Sequence, residues 1–270
     1  MKICLDSGHY KGYNAGAVKG YFEGDVMWKL TNLQKKYLEE YKDVEVILTR
    51  SNISTDLSLS NRGSKAKGCD LFISNHSNAC STESVDRPVI IYPFDNKNNS
   101  YNLGDLLGKK IQSVMNTNQK HQMMTKKSTN GAYEYYGVLN GARKVNCPRY
   151  YIIEHGFHTN KKCCNWILND ANIEKLAKAE VEVIASYYGL SKKTTSPTNN
   201  VKWKNGDYNI KVRATANLNL RTGRGTNNSI IYTIPKGTVF TLGYVKDNWG
   251  STWDFKDGVG YFCCDYIERV

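Results

Sequence analysis

The chain lacks any apolar run approaching the roughly 18 residues that cross a bilayer, which excludes a helical membrane span. It also lacks a C-x-x-C pair. Its eight cysteines are Cys4, Cys69, Cys80, Cys147, Cys163, Cys164, Cys263 and Cys264. Two adjacent doublets and irregular spacing suit neither a simple zinc knuckle nor a disulfide framework. Several sit in apolar stretches, where a free thiol behaves as a small hydrophobe. No internal repeat occurs at a fixed period, and one polar tract is the only low-complexity segment. No helix-turn-helix, zinc-finger or RNA-recognition pattern is present, so charge alone speaks for a nucleic-acid partner, and none is expected. The opening MKICLDSGH carries an apolar run far too short for a signal peptide. It predicts a folded domain beginning at residue 1, synthesis in the cytoplasm, and reduced thiols.

What is present is a cored, soluble composition. Of 270 residues, 40% are hydrophobic and 23% charged, which argues against disorder, a collagen-like repeat or a coiled coil. The length suits a medium domain plus a small one. There are 37 Lys+Arg against 25 Asp+Glu, a formal charge of +12. That excess fits an anionic partner or simple solubility.

Hydrophobic periodicity divides the chain. Residues 2–5, 44–48, 71–74, 89–92 and 150–153 read as strands. Residues 26–41, 59–67, 103–115 and 173–188 read as helices, the first with Met27, Leu30, Leu33, Tyr37 and Leu38 on one face. Strands spaced by helices predict an α/β domain over residues 1–190, with a mostly parallel twisted sheet flanked by helices. Its ligand site is then expected at the carboxyl ends of the strands. Residues 191–205 begin SKKTTSPTNN, polar and without an apolar residue, and read as a linker. Residues 206–270 carry short runs at 218–220, 230–234, 239–245, 249–253 and 259–262, separated by glycine, proline and Asp-Asn turns. They predict a small all-β barrel.

Only five histidines exist: His9, His76, His121, His155 and His158. His9 and His76 each follow a predicted strand, as does Glu154, so all three converge on one sheet edge. Glu23 lies on a loop at that edge, ahead of the first long helix. Two His, one Glu and a further Glu form a set familiar from catalytic zinc sites, where three ligands leave an open position and a separate carboxylate moves protons. Each residue also has a plainer reading. A histidine at a strand end is commonly a hydrogen-bonded loop residue, and Glu23 alone would be a solvated acid at a helix start. Glu154 stands out, because a carboxylate ending an apolar strand is costly to bury unpaired. His155 and His158 read as solvent-facing or supporting residues of a loop over 154–160, and His121 as exposed. Tyr133, Tyr135 and Tyr136 are candidates to line a saccharide groove, with packing as the alternative.

Taken together, LDSGHYKGYNAGAV, Glu23 before a helix, ILTR at 47–50, SNRGSKAKGCDLFISNHSNA at 60–79 and IIEHGFHTN at 152–160 resemble the zinc-dependent N-acetylmuramoyl-L-alanine amidases, in order and over residues 1–188. The resemblance implies zinc (Zn2+) held by His9, Glu23 and His76, with Glu154 as catalytic acid/base. Arg62 and Asn78 match further positions and imply supporting roles. Ser7 stands where proline is common and Asn75 where an apolar residue is common; neither departure removes a ligand. The tail, with Leu218-Asn219-Leu220-Arg221, Pro235-Lys236-Gly237, Trp249 and Gly258-Val259-Gly260-Tyr261, resembles a bacterial Src-homology-3-type barrel. Such modules in lytic enzymes bind cell wall, although the fold alone hosts many functions.

The implied activity is hydrolysis of the amide between N-acetylmuramic acid and L-alanine in peptidoglycan. With no export signal read at the start, a phage or prophage endolysin is the expected role, released through holin-type pores or by lysis. The alternatives are a bacterial autolysin, a zinc peptidase acting on the stem peptide, and a catalytically inactive wall-binding protein. The charge has a location: residues 191–270 carry a net +6, as do the 190 residues before them. A barrel and linker so charged are expected to favour an anionic wall polymer, screened by salt.

Overall fold

The apolar run before Asp6 forms β1 (Lys2–Ser7), and a series of helices and strands follows it along the chain. They are α1 (Glu23–Leu38), β2 (Glu45–Leu48), α2 (Leu59–Ser64), β3 (Leu71–Asn78), β4 (Val89–Ile91), α3 (Ser100–Met115), β5 (Gln122–Met124), α4 (Gly137–Lys144), β6 (Arg149–Phe157), α5 (Lys161–Leu168) and α6 (Asp170–Tyr188). The structure is a computed structural model and describes residues 1–193, 203–255 and 258–270. Residues 194–202 of the expected linker, and Lys256 and Asp257 of one expected turn, lie outside the described residues. The chain divides into two units between Lys193 and Thr194. Among the described residues no helix is long and apolar enough to cross a membrane.

The first unit is a mixed α/β fold. Its six-stranded sheet runs β2-β1-β3-β6-β4-β5. The β1–β2, β1–β3, β3–β6 and β4–β5 pairs are parallel, and β4–β6 is antiparallel. Side chains alternate across the sheet. Ile3, Leu5, Leu71, Ile73 and Ile153 enter one apolar layer with Met27 and Leu30 of α1, Leu107 of α3 and Leu176 of α6. Cys4, Phe72, Tyr150 and Ile152 enter the opposite layer with Val138 and Leu139 of α4. Charges suit the helix ends: Glu23 and Asp25 open α1, and Lys35 and Lys36 close it. Asn169 caps α6 by accepting from the Asn172 backbone, and left-handed Gly189 ends it at φ +63°. All eight cysteines are free thiols, and burial pushes those of Cys147 and Cys163 up to about 12.

Helices α2 and α4 meet backbone to backbone. A Cβ on Gly63 would lie 2.0 Å from the Val138 carbonyl oxygen, and one on Gly141 would lie 2.4 Å from the Ser60 carbonyl oxygen. Neither neighbour is a flexible side-chain tip. Gly63→Ala is therefore expected to lower stability by about 1–3 kcal/mol, the usual range for overpacking, measured by urea denaturation.

The second unit contains β7 (Gly206–Ala214), β8 (Leu218–Arg221), β9 (Ile230–Ile234), β10 (Val239–Lys246), β11 (Trp249–Thr252), β12 (Gly260–Cys263) and β13 (Ile267–Arg269). They form a seven-stranded antiparallel sheet in the order β13-β7-β10-β11-β12-β8-β9. Its core gathers Trp203, Val212, Leu220, Phe240, Val245 and Phe262. A register shift between Leu242 and Tyr244 moves the inward position from an even to an odd residue, so Val245 follows Leu242 into the core.

Candidate active site

Strand β1 delivers Asp6 and Ser7 to the sheet edge, and the chain turns through Gly8 into His9. The His9 backbone is left-handed, with φ +58°. A non-glycine residue holds that conformation only where its surroundings enforce it. Here Arg62 does so. Its Nη2 donates to the His9 carbonyl at 2.8 Å and its Nη1 to the Ser7 carbonyl at 2.7 Å. The same guanidinium pairs with Asp6 at 3.1 Å and Asp56 at 3.0 Å. Asp6 also accepts from Ser74 Oγ at 2.6 Å and Thr49 Oγ1 at 2.5 Å. Arg62 thus supports the His9 turn, as the resemblance implied, and both it and Asp6 are buried. Arg62→Met leaves the Asp6 carboxylate buried without its cation. We expect a loss of about 3–5 kcal/mol in chemical denaturation, the range for breaking a buried ion pair.

The loop after His9 is zipped onto the start of α1. Glu23 N donates to Asn14 O at 2.9 Å and Gly24 N to Tyr13 O at 3.3 Å. A Cβ on Gly24 would sit 1.9 Å from the Tyr10 carbonyl oxygen, so a glycine is needed there. This brings Glu23, only 1% exposed, against both histidines. Its Oε1 lies 3.0 Å from His76 Nδ1 and accepts from Ser77 N at 3.0 Å. Its Oε2 lies 3.3 Å from His9 Nε2 and accepts from Asn14 Nδ2 at 2.7 Å. Tyr13 stacks on the His9 ring with centroids 4.5 Å apart. His76 packs against Gly8, where a Cβ would fall 2.4 Å from the imidazole.

One ligand atom from each of His9, Glu23 and His76 lies within 4.8 Å of the others, a grouping that occurs once among the described residues. Two neutral imidazoles and a carboxylate are a donor set for a catalytic zinc ion with an open position. The residues present fit such an ion. Without it, the three groups must satisfy one another. Burial opposes charge on Glu23, but the hydrogen bonds and charges of His76 and His9 outweigh it and hold the carboxyl well below its ordinary value of 4.5. Burial likewise opposes charge on His76, but the hydrogen bond with Glu23 and the charges of Glu154, Glu23 and Asp6 lift it to about 9.

These shifts define a pH window. The Glu23 contribution to metal-free stability is present above 4.5 and is lost as pH falls below it. The His76 contribution is full below 6.5 and is lost as pH rises towards about 9. The metal-free protein should therefore gain most from this site between pH 4.5 and 6.5, with Tm falling from 6.5 to about 9 in the presence of chelator. A zinc ion bound here would displace the His76 proton, so its affinity should rise about tenfold per pH unit below about 9, read by zinc titration.

Glu154 stands opposite His76 in the β3–β6 register. By alternation it shares the face of Ile152, the side of the sheet covered by α4. Its Oε2 is buried and finds no hydrogen-bond partner among the described residues. Burial, with the Glu23 charge, pushes its carboxyl up to about 7 against the attraction of His76 and His155.

His76 and Glu154 lie within strands rather than beyond them. The apolar runs stop at Ser74 and Ile153, but β3 continues to Asn78 and β6 to Phe157 because each is hydrogen-bonded along the other. The loop expected over 154–160 is accordingly strand to Phe157. His155 and His158 are buried rather than solvent-facing. His158 supports the site: its Nδ1 lies 2.8 Å from the Ser77 carbonyl oxygen and 3.8 Å from Glu23 Oε2. His121 is not exposed either, because its Nε2 meets Asp105 at 2.8 Å and its ring lies on Gly108. Asn78 accepts from Ala79 N through Oδ1 and pairs with Phe157 in the register.

An open groove of about 530 Å³ borders His9 and His76. Tyr10, Tyr13, Leu57, Leu59 and Val138 line it; none of Tyr133, Tyr135 and Tyr136 does. Sequence reasoning missed Asp6, Tyr13, Asn14 and Ser77. Asp6 had the signal used for Glu154, a carboxylate closing an apolar strand. Asn14 and Ser77 had none, because their roles arise from how the loop and the strand meet Glu23.

The family model described as N-acetylmuramoyl-L-alanine amidase matches residues 3–186. No curated protein matches the chain. Among solved structures, the catalytic domain of the CwlV amidase of Bacillus (Paenibacillus) polymyxa var. colistinus is similar at 18% identity and TM-score 0.59, over 70% of this chain and 99% of that one. An N-acetylmuramoyl-L-alanine amidase of Clostridium difficile 630 is similar at 21% identity and TM-score 0.60, over 70% and 96%. The AmiC2 amidase of Nostoc punctiforme is similar at 20% identity and TM-score 0.55, over 70% and 97%.

Proposed function

Because the chain belongs to the N-acetylmuramoyl-L-alanine amidase family, whose members hydrolyse peptidoglycan, we propose that it does so as a zinc enzyme whose ligands are His9, Glu23 and His76. The observation that carries this reading is the His9–Glu23–His76 cluster with Glu154 opposite His76 on the neighbouring strand.

Zinc bound by these three residues supplies Lewis-acid polarisation of the scissile carbonyl and a water of lowered pKa. Glu154 moves the protons. Its Oε2, free of other partners, takes one from the attacking water and hands it to the L-alanine nitrogen as the C–N bond breaks. Burial raises this carboxyl in the metal-free protein, and a bound cation favours its charged form, the form that accepts a proton. The products are a muramyl lactyl carboxylate and a free L-alanine amine. Asn14, Ser77 N and Arg62 hold Glu23 and His9 in place. The groove lined by Tyr10 and Tyr13 admits the substrate beside them.

The second unit is read as a cell-wall-binding module. Its resemblance to the wall-binding barrels and its share of the positive charge support an anionic wall polymer as ligand. On that basis the two-unit chain is a phage or prophage endolysin or a bacterial autolysin, acting on the wall after release or lysis. Retention of the full chain on purified wall should then fall as salt is raised.

The deciding experiment is digestion of purified peptidoglycan with and without chelator, followed by end-group analysis. New L-alanine amines without new reducing ends, lost with chelator and restored by zinc, are the expected result. New D-amino-acid termini would mark a peptidase, and new reducing ends a glycosidase; either would overturn the reading.

A further inference from the structure

Behind the metal cluster, on the face covered by α1 and α6, the apolar layer of Leu5, Ile73 and Ile153 gives way to buried polar side chains. His155 and Glu180 are 0% exposed and pair at 2.9 Å between Nε2 and Oε1. Gln34 of α1 donates to Glu180 Oε2 at 3.0 Å. Asn75 of β3 donates to Gln34 Oε1 at 2.7 Å and to Thr31 Oγ1 at 2.9 Å. On its other side, His155 Nδ1 faces the backbone carbonyl of His76 at 3.2 Å. A carbonyl only accepts, so Nδ1 carries the hydrogen.

Packed apolar residues would fill such a layer at lower cost, since buried ion pairs are often no better than hydrophobic replacements. The location suggests what this arrangement does. The β3–β6 register shifts between His76 and Asn78, and left-handed Gly156 (φ +111°) lies in the same stretch of β6. The ladder pairs His76 with Glu154 but loses its register immediately beyond them, so backbone pairing anchors that pair from one side only. The His155 side chain supplies the missing tie, from β6 to the His76 carbonyl.

We propose that His155, braced by Glu180, is a positioning residue that sets the backbone of the ligand His76 against the strand carrying Glu154. This rests on the metal-site reading above and adds to it a determinant on the opposite face of the sheet.

Two amide substitutions separate the bonds. Asn places its amide nitrogen near the Nδ1 position and keeps the donor to His76; Gln places its amide near Nε2 and keeps the contact with residue 180. Each is made together with Glu180→Gln, so that no uncompensated charge is left buried. Zinc affinity of the metal-free proteins is measured by competition with a chromophoric chelator. The visible spectrum of the cobalt-substituted proteins, kcat and KM are then recorded. We expect His155→Asn/Glu180→Gln to stay within about threefold of native in zinc affinity and kcat. His155→Gln/Glu180→Gln should lose about 10- to 100-fold in one or both, with KM little changed and an altered cobalt spectrum. Thermal unfolding should rank the pair the other way, because the Gln variant keeps the buried contact. Equal losses in the two variants, or no loss in either, would overturn the positioning role. A native chain that takes up no zinc would instead overturn the metal-site reading beneath it.

Discussion

Replacing Glu154 with Gln should lower kcat on purified peptidoglycan by about 10²- to 10⁴-fold, the range supplied by a positioned acid/base. Zinc content and Tm should stay near native. The substitution is nearly isosteric, and Glu154 is not among the three clustered donors. Glu154 Oε2 makes no hydrogen bond among the described residues, so little structure depends on it. A buried polar atom without a partner costs stability, and folding gains nothing from it. The pH profile offers a second check. The limb assigned to Glu154 should vanish in the variant. In the metal-free protein burial holds that carboxyl at about 7, and a bound cation should draw it lower by favouring the charged form. Full lytic activity in a folded, zinc-loaded Glu154→Gln protein would remove Glu154 from the mechanism.

Glu23→Ala should have the other large effect. Glu23 contacts both histidines, Asn14 Nδ2 and Ser77 N, so its loss breaks the cluster at its centre. Zinc affinity should fall by more than the roughly 100-fold that follows loss of a supporting residue, and activity should fall to background. The metal-free variant should also lose the Glu23 part of the acid-side dependence of stability, because that depressed carboxyl is gone. Retained stoichiometric zinc in Glu23→Ala would move the third ligand elsewhere. His158, with its Nδ1 at 3.8 Å from Glu23 Oε2, is the neighbour to examine first.

The residues proposed to react stand out in the sequence because they interrupt patterns. Glu154 is a carboxylate in an otherwise apolar strand, and His9 and His76 follow apolar runs that the sheet carries to a common edge. Elements without such a pattern were not read. Helix α4 begins at Gly137 and has no side-chain cap, and α5 is short and holds the Cys163–Cys164 doublet. Strand β7 alternates its side chains, but most of its positions are not buried, so no apolar run announces it. Strand ends were placed too early for a related reason. Periodicity sees side chains, whereas β3 and β6 are extended by backbone pairing through Asn75, His76 and Asn78, which look like loop residues when read alone.

The sequence alone determined the α/β alternation, the family and the four residues nominated for chemistry, because each depends on residue type and order. Tertiary structure decided which groups hold three of them, His9, Glu23 and His76, in place. Arg62 secures a left-handed His9, Asn14 and Ser77 secure Glu23, and His155 and Glu180 stand behind His76. The direct partners Asn14, Arg62, Ser77 and His155 lie between 9 and 79 residues from the groups they contact, so no local pattern records them. The histidines show the difference most clearly. His76 and His155 are the same residue type, each within a strand, yet one joins His9 and Glu23 and the other enters the buried face, because the parallel register turns consecutive side chains to opposite sides of the sheet.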